Sequence, residues 1–369
     1  MQYRKMGNTG VEVSALGFGC MRLPINEDKT INEEKAIAMI RHAIDNGVNY
    51  VDTAYPYHQG TSEIVVGKAL QDGYREKVYL ADKMPMNVVS SAEHFDEILD
   101  EQLAKCGTDH FDFYLLHALN RERFEQKVKP FGLVKKMAEA KAAGKVRHIG
   151  FSFHDDLETF KEIIDCFDGW DFCQIQYNYI NTHHQAGTEG LKYAASKGLG
   201  VVIMEPLLGG KLANLAPHVA AAFPENKAHV EYALDWLWDQ QEVSLLLSGM
   251  TEPEQVEQNL VYASRSSIGM VTEEERAIYA KAKEIFDRAS LVDCPKCESC
   301  MPCPFGLNIP GIFAAYNKSA SHGMAVGKAE YAALETKADA CRACRRCEKV
   351  CPQNIKISEV MPKVVKTFA

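Results

Sequence analysis

The sequence predicts an α/β protein in which a (β/α)8 barrel is followed by a small helical domain rich in cysteine. Three observations lead to this fold class. Eight short runs of aliphatic, β-branched or aromatic residues alternate with longer segments of helical period between the amino terminus and about residue 265. Beyond residue 270 the strand-like runs stop and helix formers take over. Eight of the twelve cysteines lie after residue 292.

Length, composition and charge restrict the class of protein. The chain has 369 residues, and a (β/α)8 barrel uses about 250 by itself, so we expect one large domain and one small one. The formal net charge of -9 argues against nucleic acid or an anionic membrane surface as the main partner. The amino terminus lacks an apolar run of the signal-peptide type, and no stretch approaches the roughly 20 apolar residues that span a bilayer. We therefore expect a cytoplasmic protein with no membrane partner.

The eight apolar runs are continuous rather than alternating, which is typical of parallel strands covered on both faces. Each is separated from the next by enough residues for a crossover helix, so eight units indicate a closed TIM barrel. The predicted strands are ALGFG ending at Gly19, NYVDTA ending at Ala54, VYLADKM ending at Met84, DFYLLHA ending at Ala118, VRHIGFS from Val146, FCQIQYN from Phe172, GVVIMEP from Gly200 and VSLLLSG from Val243.

An open doubly wound sheet is the alternative architecture. Such a sheet usually carries a GxGxxG phosphate turn after its first strand. Here ALGFGCMRLP offers only Gly17 and Gly19 before the pattern fails, which favours the barrel. Ahead of the first barrel strand, YRKMGNTGVEVS carries GNTG between two β-prone runs and predicts a hairpin.

The predicted domains are a barrel over residues 1–270, a helical connector over 271–291 and a cysteine-rich domain over 292–369. The connector begins with Thr272 and a run of glutamates, which is a helix start signal. Between the two cysteine runs, residues 309–340 are mostly helix formers, so the small domain should be helical.

Polar residues follow three consecutive predicted strands, at the end where a (β/α)8 enzyme carries its chemistry. Asp52 lies at the end of the second strand, Lys83 at the end of the third and His117 at the end of the fourth. The loop after the second strand contains, in order, Tyr55, Tyr57 and His58.

These residue types together predict carbonyl reduction with a tyrosine acid. A tyrosine hydroxyl has an ordinary pKa of about 10, and a neighbouring ammonium such as Lys83 favours the phenolate and lowers that pKa. Asp52 can hold the lysine charged. His117 can donate a hydrogen bond to a substrate oxygen that gains negative charge as hydride arrives.

Each residue alone also has an ordinary structural explanation. Asp52 can be a loop carboxylate, a tyrosine in AYPYH can serve packing, Lys83 can be solvated, and the histidine of LLHA can be a satisfied core residue. Four polar residues at three consecutive strand ends favour a site instead. An apolar barrel gains no stability from burying Asp52 and Lys83 together, because desolvation often costs as much as the attraction returns.

The motifs YVDTAYPYHQGTSEIVVGKAL, LADKM, DHFDFYLLHAL and VRHIGFS resemble successive signatures of the aldo-keto reductase superfamily, over residues 1 to about 265. The resemblance implies a catalytic tetrad of Asp52, Tyr57, Lys83 and His117, with Tyr57 preferred to Tyr55 because it lies five residues after the aspartate. It also implies a nicotinamide cofactor at the barrel mouth. The cofactor contacts implied are Gly19, Met21, Asp52, Ser152, Gln174, Met204, Pro206, Leu207, Gly209, Lys211, Gly249, Gln255 and Asn259.

Departures from the family pattern affect the choice of cofactor. Phe153 follows Ser152 where the family commonly has asparagine, and Met204 replaces the aromatic residue that stacks on the nicotinamide ring in many members. Gly249 and Gln255 stand where the family has cations for the 2'-phosphate. The loss of these cations weakens the case for NADP over NAD, and the other losses leave a flavin as an alternative.

The cysteine runs predict iron-sulfur clusters. Cys341, Cys344, Cys347 and Cys351 fit CxxCxxCxxxCP, the spacing that holds a [4Fe-4S] cube in ferredoxins. The first run is one residue shorter in its last gap and consists of Cys294, Cys297, Cys300 and Cys303. Eight thiolates suffice for two cubes. Paired CxxC elements can instead hold zinc, but each run supplies more sulfur than such a site needs.

The fourth cysteine of each run in two-cluster ferredoxins binds the other cluster. We therefore assign Cys303 to the cluster of the second run and Cys351 to the cluster of the first. The tail resembles a ferredoxin-type module, and the whole chain resembles the subgroup of aldo-keto reductases that carries such a domain.

The predicted function is reduction of a carbonyl, or oxidation of the alcohol, coupled to electron transfer through the clusters. A hydride carries two electrons and a cluster passes one at a time, and a flavin could convert between them. A basic group beside the second run can attract ferredoxin or another acidic carrier; its members are Arg342, Arg345, Arg346 and Lys349. The alternatives are an NAD(P)H carbonyl reductase with purely structural clusters, and a non-catalytic barrel scaffold with an electron-transfer module.

Overall fold

The computed structural model of the chain describes residues 1–369 except for the side chains of residues 288 and 289. Its first feature is the predicted hairpin, in which β1 (Tyr3–Lys5) pairs antiparallel with β2 (Glu12–Ser14). Gly7 in the connecting turn has a φ of 51°, and a Cβ there would lie 2.3 Å from the backbone nitrogen of Gly200. Only glycine allows the turn to approach the backbone this closely.

Eight parallel strands form a closed barrel, which confirms the predicted architecture. The strands are β3 (Leu16–Gly19), β4 (Tyr50–Asp52), β5 (Tyr79–Met84), β6 (Phe111–Leu119), β7 (Val146–Phe153), β8 (Phe172–Gln176), β9 (Gly200–Met204) and β10 (Leu245–Gly249). Consecutive strands are neighbours in the sheet, and β10 closes the barrel by pairing with β3.

Large side chains from several strands fill the barrel interior. The ring centroid of Phe113 lies 5.2 Å from that of Tyr50 and 5.1 Å from that of Phe172. All three residues are fully buried. Aromatic pairs of this kind stabilise a core by about 0.5–1.5 kcal/mol beyond the effect of buried area. A barrel packed in this way has no central pore, so enzymes of this architecture carry their chemistry on the rim.

Helices connect the barrel strands. They are α1 (Glu33–Asp45), α2 (Ser62–Ala69), α3 (Ala92–Cys106), α4 (Arg121–Arg123), α5 (Leu133–Ala142), α6 (Leu157–Asp165), α7 (Gly187–Ser196), α8 (Pro217–Ala220), α9 (His229–Trp238) and α10 (Pro253–Ser264). A π-helical segment, Phe124–Val128, follows α4 directly. Ser91 and Asp156 are the N-caps of α3 and α6. The side chain of each accepts a backbone N–H of the first helical turn, which otherwise has no partner within the helix.

The chain divides into two compact units. The first contains residues 1–206 and 234–270, and the second contains residues 207–233 and 271–369. Segment 207–233 follows β9 in the chain, yet its contacts group it with the cysteine-rich region.

The carboxyl-terminal region is helical, as predicted. Thr272 and Glu275 form a capping box at its first helix, in which each side chain accepts the backbone N–H of the other. A small core contains the buried side chains of Val292, Phe313 and Val364. The helices are α11 (Glu273–Ala289), α12 (Ile309–Ser321), α13 (Met324–Ala333), α14 (Arg346–Lys349) and α15 (Ile357–Phe368). Among the described residues, no helix combines the length and apolar character needed to cross a membrane.

A buried carboxylate holds the amino-terminal end of the barrel together. Asp112 is the second residue of β6, and its side chain is 2% exposed. It accepts the backbone N–H of Leu80 at 2.9 Å and pairs with Arg75 at 2.8 Å and Arg147 at 2.9 Å. These contacts join β5, β6, β7 and the turn before β5 at the end of the barrel opposite to His117.

We expect Asp112→Ala to lower the free energy of unfolding of the barrel by about 3–5 kcal/mol, because Arg75 is then left largely buried without its carboxylate. Urea unfolding followed by tryptophan fluorescence measures this change, since all three tryptophans lie in the first unit. Asp109→Ala removes a carboxylate that is 94% exposed and is the matched control. Equal effects of the two substitutions would contradict the prediction.

Candidate active site and cluster sites

Four polar side chains meet at the carboxyl-terminal end of the barrel strands. Asp52 ends β4, Lys83 lies one residue before the end of β5, and His117 lies near the end of β6. Tyr57 begins a 3-10 turn, Tyr57–Gly60, that follows β4. The structure therefore brings the four residues of the predicted tetrad together.

The Lys83 ammonium is the centre of this group. Its Nζ atom donates to Asp52 Oδ1 at 2.6 Å, to the Thr53 carbonyl oxygen at 2.7 Å and to the Tyr57 hydroxyl oxygen at 3.3 Å. Burial lowers the pKa of Lys83, but the Asp52 carboxylate and Tyr57 raise it by more, so this pKa lies above its ordinary value. Burial also raises the pKa of Asp52, and the ammonium opposes that rise. Lys83 thus stays charged while all three of its donors are satisfied.

Tyr57 is subject to two opposing effects. Burial raises the pKa of its hydroxyl above the ordinary value, and the Lys83 ammonium acts in the opposite direction. The net direction is opposite to the lowering expected from the sequence, because desolvation of the phenolate outweighs the nearby charge. Tyr57 is therefore protonated at neutral pH, as an acid must be.

His117 faces Tyr57 across the site. The two ring centroids lie 6.0 Å apart with the rings at 81°. Burial, followed by the positive charges of Lys83 and Arg123, holds the pKa of His117 well below its ordinary value. The imidazole is therefore neutral near pH 7, and it can donate one N–H to an oxygen in the site.

The other two polar residues of the loop after β4 have separate partners. The Tyr55 hydroxyl donates to the Glu101 carboxylate, and its oxygen lies 3.3 Å from each of the two carboxylate oxygens. The His58 Nε2 atom accepts the backbone N–H of Leu23 at 3.1 Å. Tyr57 is thus the tyrosine of this loop that contacts Lys83.

Several of the predicted cofactor residues lie side by side on the barrel rim. Gly19 is in register with Gly249 on one side and with Asp52 on the other. Ser152 is in register with Gln174 on the next strand. The Gln174 Oε1 atom is buried and has no hydrogen-bond partner among the described residues. An unpaired buried acceptor of this kind fits a ligand amide group such as a carboxamide.

Other predicted cofactor residues have protein partners or a different setting. Gln255 Oε1 accepts the backbone N–H of Thr251 at 2.8 Å as part of a helix cap, and Asn259 Nδ2 donates to Ser248 Oγ at 3.1 Å. Met21 is exposed. Two further residues of this set flank the end of β9, and these are the half-buried Met204 and the buried Pro206.

The last three predicted cofactor residues belong to segment 207–233 of the second unit, and these are Leu207, Gly209 and Lys211. A Cβ at Gly209, which has a φ of 64°, would lie 2.2 Å from the carbonyl oxygen of Pro295. Burial raises the pKa of Cys294, and the charge of Lys211 opposes that rise. The segment that follows β9 therefore lies against the first cysteine run.

The eight carboxyl-terminal cysteines divide between two small cavities. The first is lined by Cys294, Cys297, Cys300 and Cys351, and the second by Cys303, Cys341, Cys344 and Cys347. This division is the one expected when the fourth cysteine of each run binds the other cluster.

Each site is lined by four cysteines, the number that one [4Fe-4S] cube requires. Within the part of the chain that the structure describes, no three His, Cys, Asp or Glu side chains are arranged to hold one metal ion. Burial raises the pKa of Cys300 to about 12 and that of Cys347 to about 11, so cluster binding must displace their protons.

Three cations near the rim were not predicted from the sequence. Arg123 donates to the Ala118 carbonyl oxygen at 2.6 Å, and Lys127 donates to the Val89 carbonyl oxygen at 2.9 Å. Arg22 packs against Gly249, and its buried Nη2 atom has no hydrogen-bond partner among the described residues. A lone arginine or lysine in a loop gives no sequence signal that separates these residues from solvated ones.

Comparisons with known proteins agree with this geometry. Residues 15–273 match the aldo/keto reductase family, and residues 290–355 match the 4Fe-4S dicluster domain. The chain is 29% identical over 294 residues to L-galactose dehydrogenase of Arabidopsis thaliana, covering 73% of this chain and 91% of that protein. It is 33% identical over 157 residues to probable aldo-keto reductase 1 of Glycine max, covering 40% of this chain and 44% of that protein. The holo form of aldo-keto reductase AKR11C1 from Bacillus halodurans superposes with a TM-score of 0.65 at 25% identity, covering 76% of this chain and 96% of that one.

A closed (β/α)8 barrel with a tyrosine, a buried lysine and a histidine at its rim defines a barrel oxidoreductase. The chain belongs to the aldo/keto reductase family, and it carries in addition a carboxyl-terminal 4Fe-4S dicluster domain.

The division of the cysteines predicts which substitutions act on the same cluster. We expect about eight irons per chain after anaerobic purification, and about four in Cys351→Ser, since one cluster then lacks a ligand. In electron paramagnetic resonance spectra of the reduced protein, Cys351→Ser and Cys297→Ser should remove the same signal and Cys344→Ser the other. Cys166→Ser, at an exposed thiol in the first unit, is the control. Zinc in place of iron, or a common signal for Cys351→Ser and Cys344→Ser, would show the assignment to be wrong.

Proposed function

We propose that this protein reduces a carbonyl group, or oxidises the corresponding alcohol, by hydride transfer with Tyr57 as the acid, and that its clusters pass electrons to or from another redox protein. One observation carries the catalytic part. Lys83, buried and charged, contacts both the Asp52 carboxylate and the Tyr57 hydroxyl. Membership of the aldo/keto reductase family supports the same reaction class.

In this proposal, Tyr57 and His117 hold the substrate oxygen. NAD(P)H, when bound, supplies the hydride that adds to the carbonyl carbon. As the carbon–oxygen double bond gives up its electron pair to the oxygen, that oxygen takes the Tyr57 proton, and Lys83 stabilises the phenolate that remains. The neutral His117 donates a hydrogen bond to the same oxygen as its negative charge grows. Oxidation of an alcohol runs through the same groups in reverse and requires the phenolate.

The residues that would hold the nicotinamide are on β7 and β8. The unpaired Gln174 Oε1 would accept from the carboxamide, with Ser152 beside it. Gln255 is occupied in a helix cap, so it supplies nothing to a 2'-phosphate. Arg22, packed on Gly249, is a cation in that neighbourhood and supports NADP as well as NAD. If the purified protein contained one flavin per chain, the proposed cofactor would be that flavin instead of a nicotinamide.

The clusters have the surroundings of electron carriers. Cys344 is exposed, so the second cluster would lie near solvent. The basic group consists of exposed residues without a carboxylate salt bridge in the described part of the chain, and its members are Arg342, Arg345, Arg346 and Lys349. Such a surface favours docking of an acidic electron carrier such as ferredoxin. If the clusters were only structural, turnover would not change when their potential is shifted.

Substitution of Tyr57 by phenylalanine tests the catalytic part. We expect NAD(P)H-dependent reduction of an aldehyde to fall by about 10²–10⁴ in kcat, because the proton donor is lost while the ring is kept. Stopped-flow absorbance at 340 nm under anaerobic conditions measures the hydride step directly.

Tyr55→Phe is the matched control, since this tyrosine lies two residues away and bonds Glu101 instead of Lys83. We expect it to retain the rate of the unmodified protein. A Tyr57→Phe variant with unchanged activity would leave the barrel as a binding scaffold and would remove the proposed function.

The electron-transfer part predicts a dependence on charge. Reversal of two exposed cations, Arg345→Glu together with Arg346→Glu, should slow the association rate with reduced ferredoxin by about 10-fold or more at low salt, and added salt should reduce the difference. The control is Lys363→Glu on α15, outside the basic group. An exchange rate that responds neither to salt nor to the double reversal would contradict docking at this surface.

A further inference from the structure

The segment that follows β6 carries four cations in two different settings. Arg121 and Lys129 are exposed, and both pair with carboxylates, Arg121 with Glu162 at 3.0 Å and Lys129 with Glu125 at 2.6 Å. Arg123 and Lys127 lie between them in sequence, are half-buried, and have no salt bridge among the described residues. Their ammonium and guanidinium groups bond only backbone carbonyl oxygens. In this segment, the two half-buried cations are thus the ones that lack a carboxylate partner.

This arrangement costs stability unless an anion completes it. A cation taken partly out of water loses hydration, and one carbonyl oxygen replaces only part of it. Burial lowers the pKa of both Arg123 and Lys127. At Arg123 the negative charge of the neighbouring Glu122 opposes this lowering. At Lys127 the positive charge of Arg123 lowers the pKa further. Two like charges are therefore close enough to repel each other. The π-helical turn Phe124–Val128 between them is a backbone form that occurs often at functional sites.

Arg123 lies close enough to His117 for its charge to lower the pKa of the imidazole. Its Nη1 atom bonds the carbonyl oxygen of Ala118, the residue after His117, at 2.6 Å. Ala118 has a φ of 54°, and its N–H donates to Ser152 Oγ at 2.6 Å. Ala118 is thus held from both sides, and the guanidinium is fixed one residue from the imidazole that would contact the substrate oxygen. A guanidinium carries five donors, and Nη1 uses one of them here.

We propose that Arg123, assisted by Lys127, binds a carboxylate of the substrate, so that the substrate of this enzyme is an oxo acid or the matching hydroxy acid. The inference rests on the proposed function, because it places the carbonyl of the same molecule at Tyr57 and His117. A planar guanidinium suits a carboxylate well, since the two groups form a pair of parallel hydrogen bonds. The cofactor phosphates are the competing anion, but the positions predicted for the 2'-phosphate, Gly249 and Gln255, lie at the end of β10 and in α10, whereas Arg123 follows β6.

Two matched pairs of substrates test this inference, 4-oxobutanoate against its methyl ester and 4-carboxybenzaldehyde against its methyl ester. We expect Arg123→Ala to lower kcat/KM for the acids by about 10- to 100-fold, mainly through KM, because one charge-assisted contact is lost. The esters should change by less than about threefold, within the spread of ordinary surface substitutions. Arg123→Lys should recover part of the loss, since it restores the charge without the fork. Arg121 is exposed and forms a salt bridge with Glu162, so Arg121→Ala should leave kcat/KM unchanged for the acid and the ester of each pair.

Equal losses on acid and ester would mean that Arg123 only supports Ala118 and His117, and would overturn the inference. A weaker NADPH affinity in Arg123→Ala, measured by fluorescence titration, would assign the anion to the cofactor and also overturn it. Calorimetric titration of the cofactor-loaded protein with succinate gives a readout free of catalysis. Loss of succinate binding in Arg123→Ala would uphold the carboxylate site even if Tyr57→Phe refuted the proposed reaction.

Discussion

The parallel course of the eight barrel strands is the constraint on which the other features depend. Because neighbouring strands run in the same direction, every strand ends on the same rim, and residues 31 positions apart in the chain can form the Asp52–Lys83 ion pair. A buried pair of this kind is unfavourable unless all of its donors are satisfied. The barrel supplies the missing acceptors from Thr53 and Tyr57, and in doing so it fixes a phenol beside a permanent positive charge.

Much of this could be predicted from the sequence, for physical reasons that differ between features. The strands were predictable because parallel strands covered on both faces must be continuously apolar. The positions of Asp52, Lys83 and His117 followed from the strand ends. The direction of the pKa shift of Tyr57 did not, since burial and a nearby charge oppose each other and only the structure shows which is larger.

Arg123 and segment 207–233 show where sequence reasoning stops. Arg121 and Arg123 are both loop cations in the sequence, and only the contacts distinguish the one that pairs with Glu162 from the one that bonds Ala118. Segment 207–233 lies within the stretch that matches the reductase family, yet it belongs to the second compact unit. Long-range packing of this kind leaves no local pattern, whereas the crossing of Cys303 and Cys351 between cavities follows from their spacing.

The glycine turn at residue 209 has a consequence for any attempt to study the reductase alone. Cutting the chain after residue 270 would remove Pro295, against which Gly209 lies with no room for a Cβ. Residues 207–233 would then lose their contacts with residues 271–369, although the eight strands would remain complete. The fragment would carry an unsupported segment of 27 residues, so its stability and solubility would not represent those of the whole chain.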